Sequence, residues 1–360
     1  METTDQIKDL FNALNRSEQV ALLKELSISI NESTEACPPV VIPKCAHCQS
    51  VRIVKNGNVD GKQKYKCKDC SRTYSKYTGT SSHGIKKRNK YEEYKSVLLT
   101  EGILPLKKMA SKIGISEQTA FDWRHKILCT LKADNTHFDG VVEMDDIWFL
   151  YSQKGRQGLK YSRKRGGSKR KGDNNYQAKL LVTSDRKGSH DLSLTRIGRL
   201  KSADIQRKVG GRFKKGGTLV SDKHGSIAAF AKKNEIKHVS FKSSQHGADA
   251  EHHTQLVNNM ASRLRNFING NLRGVSTKHL QCYANWFGFK EGKKEQKQII
   301  KEATYQLDQN KDTWNTFINM ESMYKKFIEE YSVRTYRCPT IRKWKSQQWN
   351  DEMIAAMSYV

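Results

Sequence analysis

The chain has 360 residues, room for two or three domains, and 65 Lys and Arg against 37 Asp and Glu give it a formal net charge of +28. An excess that large calls for a polyanionic partner, and nucleic acid is the usual one. Mean hydropathy is −0.77 and no stretch reaches about 18 uninterrupted apolar residues, so no membrane-spanning helix and no membrane partner is expected. The N-terminus has neither a basic nor an apolar leader region, so the chain is expected to stay in the cytoplasm. Hydrophobic residues, at 36%, still suffice for a core.

Residues 5–30 carry Leu10, Phe11, Leu14, Val20, Leu22, Leu23 and Leu26 at helical spacing, which predicts a short helix or helix pair. The polar stretch to 43, with Cys37 before Pro38-Pro39, predicts a linker. Next come C-A-H-C at 45–48 and C-K-D-C at 67–70. Two thiolates on each of two tight turns can converge on one Zn²⁺ at about 2.3 Å. Between them Val51–Lys55 alternates like a strand, Asn56-Gly57-Asn58 signals a turn, and Lys64–Lys66 reads as the returning strand. The prediction is a zinc ribbon over 44–76, held by Cys45, Cys48, Cys67 and Cys70 and rich in lysine. Cys129, Cys282 and Cys338 have no partner at ligand spacing and are expected to be small buried residues.

Over 77–136 the order is that of a helix-turn-helix. An apolar helix ends at Gly114, Ser116 caps a second one through Trp123 and Ile127, and Ala110 allows close approach. Glu117–Leu128 would be the recognition helix, with Gln118, Arg124 and His125 as candidate DNA contacts; an ordinary helix pair is the alternative.

From 137 the periodicity turns strand-like. Strands are expected at 140–150, 176–183, 191–199, 218–221 and 238–241, and helices at 202–209, 227–234, 253–269 and 277–289. That pattern predicts a mixed α/β sheet over 137–290, with 291–360 as a C-terminal helical extension. The segment 154–171 has no acidic residue and includes Arg163, Lys164 and Arg165; a flexible basic hairpin there could neutralise DNA phosphates. Two carboxylates stand out inside apolar strands: Asp145 in V-V-E-M-D-D-I-W and Asp222 in T-L-V-S-D-K. Carboxylates so placed are costly unless paired or metal-bound, and two on neighbouring strands could hold Mg²⁺.

These motifs, with H-T-Q-L-V-N-N-M-A-S-R-L-R and V-S-T-K-H-L-Q-C-Y, resemble the DDE-type insertion-sequence transposases, in particular the Merlin-related group with an N-terminal zinc ribbon. The resemblance covers about 44–290. It implies a multidomain α/β protein with an RNase-H-like catalytic domain and three metal ligands, matching Asp145, Asp222 and Asn258. Many relatives have Glu where this chain has Asn258. An amide oxygen offers Mg²⁺ a ligand without charge, and Arg265, on the same helical face with Ser262, could pair with substrate phosphate. Glu251 is a fallback third carboxylate, and Glu143 and Asp146 flank the first aspartate.

The resemblance further implies two-metal phosphoryl transfer with Mg²⁺. The substrate would be double-stranded DNA whose terminal inverted repeats are bound by ribbon and helix-turn-helix. It also implies a homodimer or larger assembly on DNA and a bacterial, nucleoid-associated setting. A non-enzymatic DNA-binding regulator and an inactive transposase remnant are the alternatives.

Overall fold

The computed structural model describes residues 11–15, 17–19, 44–59, 62–133, 137–157, 172–214, 216–245, 248–293 and 295–332. Most of the expected N-terminal helices, the linker with Cys37, Cys338 and the segment 158–171 with Arg163, Lys164 and Arg165 lie outside them. The chain divides into two compact units, residues 1–76 and 77–360.

The first unit contains the ribbon, a three-stranded antiparallel sheet of β1 (Ile53–Val59), β2 (Lys62–Cys67) and β3 (Thr73–Tyr74) in the order β1-β2-β3. The Asn56-Gly57-Asn58 signal does not make the hairpin turn. β1 runs through it, and the register breaks between Lys55 and Asn58. Gly57 has φ +69°, a left-handed conformation that lets a strand bulge instead of reversing. Tyr65 stacks on Tyr74 at 5.5 Å, and buried Cys45, Cys67 and Tyr74 form the small core.

The second unit begins with α1 (Arg88–Glu101), α2 (Leu106–Ile113) and α3 (Glu117–Thr130). α2 stops at Gly114, whose φ of +69° closes the helix. Ser116 Oγ accepts from the Thr119 N–H at 3.1 Å and starts α3, as the sequence predicts. Tyr91 and Tyr94 meet Trp123 edge-on at 5.1 and 5.6 Å, fixing α1 against α3.

A five-stranded sheet follows: β4 (Val141–Leu150), β5 (Gln177–Asp185), β6 (His190–Ile197), β7 (Thr218–Asp222) and β8 (Lys237–Phe241). Its order is β6-β5-β4-β7-β8. β4, β5 and β6 pair antiparallel, while β7 joins β4, and β8 joins β7, in parallel. This is the RNase-H-like arrangement the resemblance implies. The helices are α4 (Ser202–Val209), α5 (Gly225–Lys233), α6 (Gln255–Arg265), α7 (Thr277–Lys290), α8 (Gln296–Gln309), α9 (Thr313–Ile318) and α10 (Met320–Tyr331). The helix expected over 253–269 is shorter; α6 ends at Arg265 and continues as a wider π-turn, Asn266–Asn271.

Alternation along β4 separates two cores. Val142 and Met144 pack with Ile205, Val209, Ile227 and Phe230 on the α4–α5 face. Ile147 and Phe149 pack with Val257, Leu264 and Leu280 on the α6–α7 face. The second core also holds Tyr94, Leu98, Met109, Trp123, Ile127, Ile299 and Leu307. One hydrophobic core therefore runs across the expected divisions at 136/137 and 290/291. Gly79 shows how tightly the ends meet: its carbonyl accepts from the Trp314 N–H at 2.9 Å, and a Cβ there would sit 2.2 Å from the Lys311 carbonyl oxygen.

Candidate active site and zinc site

β4 places Asp145 on the α6–α7 face, and β7 ends at Asp222 beside it. Burial first, then the neighbouring carboxylates of Asp146 and Asp222, push the Asp145 carboxyl up to about 7. The Asp146 N–H, which donates to Asp145 Oδ1 at 2.8 Å, and the Arg265 guanidinium act the other way. Asp222 and Arg265 both therefore act on the Asp145 carboxyl. A buried carboxylate crowded by others is relieved by a hard divalent cation, so the oxygen donor set fits Mg²⁺.

α6 buries Val257, Met260, Ala261 and Leu264 and exposes Asn258, Ser262 and Arg265, the division of faces expected from its periodicity. The Asn258 amide nitrogen donates to Thr254 Oγ1 at 3.1 Å, so the carbonyl oxygen is the atom it could offer to a cation. Glu251 is exposed at the start of this segment; the recorded bonds there are to its backbone, including its carbonyl oxygen, which accepts from Arg186.

Neither carboxylate flanking Asp145 is idle. Glu143 is wholly buried on the same face as Asp145, and its Oε2 accepts from the Leu256 and Val257 N–H groups at 2.8 and 3.2 Å. Its Oε1 lies 3.3 Å from His253 Nδ1 and 3.7 Å from Arg186. Asp146 points to the other face, where Lys179 pairs with it at 2.7 Å and His224 Nε2 lies 3.6 Å away. Lys179 pairs also with Asp173 at 2.6 Å.

The structure corrects two of the three helix-turn-helix candidates. Arg124 is 4% exposed and His125 1%, so neither side chain is presented to a groove. Arg124 donates to the Leu104 carbonyl, and His125 Nδ1 lies 2.9 Å from the Phe121 carbonyl oxygen. Every residue of α3 from Trp123 to Thr130 is buried, packed against α7, α8 and α9. Gln118 is exposed, its amide donating to Asp122 at 2.9 Å. Two cations not singled out from the sequence, Lys107 and Lys108, are exposed on α2 because its apolar residues Met109, Ala110 and Ile113 all face inward. Their signal was available: cations on the polar side of a strongly amphipathic helix. In the 154–171 segment, Lys154 Nζ donates to the carbonyls of Leu272, Arg273 and Gly274 at 3.0, 3.3 and 2.7 Å. It closes the turn after α6 and is not a free phosphate contact.

In the ribbon, the Sγ atoms of Cys45, Cys48, Cys67 and Cys70 all lie within 4.8 Å of one another. Cys45 to Cys70 and Cys48 to Cys67 are both 3.6 Å. Tetrahedral Zn–S bonds of about 2.3 Å require sulfurs about 3.8 Å apart, so the cluster fits Zn²⁺. Among the described residues it is the sole group of three or more His, Cys, Asp or Glu so arranged. Asp69 supports one knuckle, bonding Ser50 and pairing with Arg52 at 2.9 Å.

Fold and site define a class: an RNase-H-like α/β domain with paired carboxylates at its centre, in a chain that also carries a tetra-cysteine ribbon. Comparison narrows it. Residues 137–292 match the ISXO2-like transposase domain. An uncharacterized protein in transposable element ISH50 of Halobacterium salinarum is 30% identical over 129 residues, 35% of this chain and 43% of that protein. The match therefore spans less than half the relative's length. Residues 137–292 are thus similar to an insertion-sequence transposase domain. Among solved structures, a chain in the simian T-cell lymphotropic virus intasome in complex with the PP2A regulatory subunit B56 gamma shares 13% identity, with a TM-score of 0.26 over 57% of this chain and 73% of that one. The pre-cleavage Mos1 transpososome shares 12%, with a TM-score of 0.24 over 71% and 82%. Scores that low carry no argument, and the fold rests on the strand order.

No helix among the described residues is long and apolar enough to cross a membrane.

Proposed function

We propose that this chain is a DNA transposase that cleaves and joins DNA at the ends of its element. The observation that carries the reading is that β4 and β7, adjacent and parallel, bring Asp145 and Asp222 close enough to feel each other's charge, on a buried face where Asp145 is pushed up to about 7 by burial first, then by Asp146 and Asp222. Asp145, Asp222 and the carbonyl oxygen of Asn258 would hold the cations. Bound there, two Mg²⁺ ions would activate the attacking oxygen and stabilise the leaving one. Arg265, already near enough to Asp145 to favour its charge, would bind a phosphate oxygen of the scissile strand. Gln118, Lys107, Lys108 and the segment with Arg163, Lys164 and Arg165 would bind the DNA backbone and its terminal repeats, and two or more chains would hold two ends together. The ribbon, stapled by Zn²⁺, adds a further basic surface.

Asn258 in place of an acid favours a second reading, a DNA-binding regulator without catalysis. One assay separates the two. Purified full-length protein is incubated with Mg²⁺ and a duplex bearing the inverted repeat that flanks its gene. The transposase reading expects strand cleavage that Asp145→Ala lowers by roughly a thousandfold or more. Cleavage surviving in that variant removes the assignment; binding with no cleavage by the parent favours the regulator.

A further inference from the structure

α6 begins without a cap of its own. Its N-cap residue, Thr254, makes no side-chain capping bond. The Thr254 hydroxyl is used instead as the acceptor for the Asn258 amide, at 3.1 Å. The first-turn N–H groups of Leu256 and Val257 are satisfied from elsewhere, by the Glu143 carboxylate at 2.8 and 3.2 Å. An ionised acceptor at a helix N-terminus gains from both hydrogen bonds and dipole, and here it lies on the strand that also bears Asp145, two residues away. Glu143 is fully buried, so it offers no face to substrate. His253 Nδ1 at 3.3 Å and Arg186 at 3.7 Å face its other oxygen, which takes no hydrogen bond among the described residues, and Arg186 Nη2 lies 3.2 Å from His253 Nε2. Three side chains thus cluster at the entrance to α6, with Glu143 the one that bonds its backbone.

We propose that Glu143 is a positioning residue: by capping α6 from β4 it releases Thr254 to orient Asn258, and so fixes the third ligand to the strand of the first. This rests on the transposase reading above. It assigns Glu143 a role distinct from metal ligation. It also explains how a neutral amide serves at that position, since a weak ligand depends on being pre-placed.

The test uses full-length zinc-loaded protein and single-turnover cleavage of the same inverted-repeat duplex in Mg²⁺. Glu143→Ala and Thr254→Val are each expected to cut roughly tenfold slower while half-saturation by DNA stays within about twofold. Glu143→Gln keeps an oxygen for the two amides and is expected to recover part of the loss. Because the effect passes through Asn258, Glu143→Ala added to Asn258→Ala is expected to cost nothing further. Hydrogen exchange gives a reading free of activity: the Leu256 and Val257 amides are expected to exchange about fivefold faster in Glu143→Ala, the loss of one cap. Cleavage by Glu143→Ala at the parental rate, additive losses in the double variant, or unchanged exchange would overturn the proposal. Failure of the transposase reading shows differently, as a parent no more active than Asp145→Ala, and the exchange measurement then still decides whether Glu143 caps the helix.

Discussion

Arg124 and His125 show why a polar side chain in an amphipathic pattern is not a surface residue by default. Both sit in α3, where charge and polarity suggest an exposed face. Their hydrogen bonds go to the carbonyls of Leu104 and Phe121, partners that no residue pattern encodes. Arg124→Ala is therefore expected to lower unfolding free energy by about 2–3 kcal/mol and to leave the sequence preference for DNA unchanged, checked by urea denaturation and competition binding. His125 stacks near His279, ring centroids 4.0 Å apart. Burial lowers His125 to about 4 and holds His279 lower still. Both stay neutral in the fold while the unfolded chain takes up protons below about 6.5, so stability falls as pH falls. His125 alone is expected to account for about 2 kcal/mol between pH 7 and pH 5. Urea midpoints at the two pH values should differ less for His125→Phe than for the parent.

Elements were the most legible level. The turn at Gly114, the cap at Ser116, the strand bearing Asp145 and the strand ending at Asp222 all fall where apolar periodicity and punctuation place them. Two misreadings share a cause. Asn56-Gly57-Asn58 carries a turn signal and is a bulge, and 253–269 has the periodicity of one helix and ends in a π-turn. In each case local chemistry permits both shapes; in the ribbon the pairing with β2 settles it, and beyond the π-turn Lys154 gathers the carbonyls of Leu272, Arg273 and Gly274. The meeting of Asp145 with Asp222 needed strand order, which a single sequence carries only through resemblance. The zinc knuckles, by contrast, are written entirely in spacing. One zinc per chain is expected by atomic absorption. Chelation should open 44–76 to proteolysis while the helical signal of 77–332 persists, because the ribbon core holds little beyond Cys45, Cys67 and Tyr74.

Across the whole molecule, charge and core tell different stories. The excess of basic residues was evident from composition and points to a polyanion. Domain-by-domain reading suggested a DNA-reading module tethered to a separate catalytic one. Packing instead joins α1–α3 to β4, β5, α6 and α7 through Trp123, Ile127, Ile147 and Leu280 in one apolar mass. Sequence could not reveal this because each helix has an apolar stripe whether it meets its neighbour or a distant sheet.

That shared mass has a mechanical meaning. Packed into one core, the helices around Gln118 and the strand of Asp145 would act as a rigid gauge if the transposase reading holds. On that reading the number of base pairs from a step bound at Gln118 to the bond broken at Asp145 would be set by the length of packed protein between them, and any flexing needed to seat the duplex would fall on the DNA.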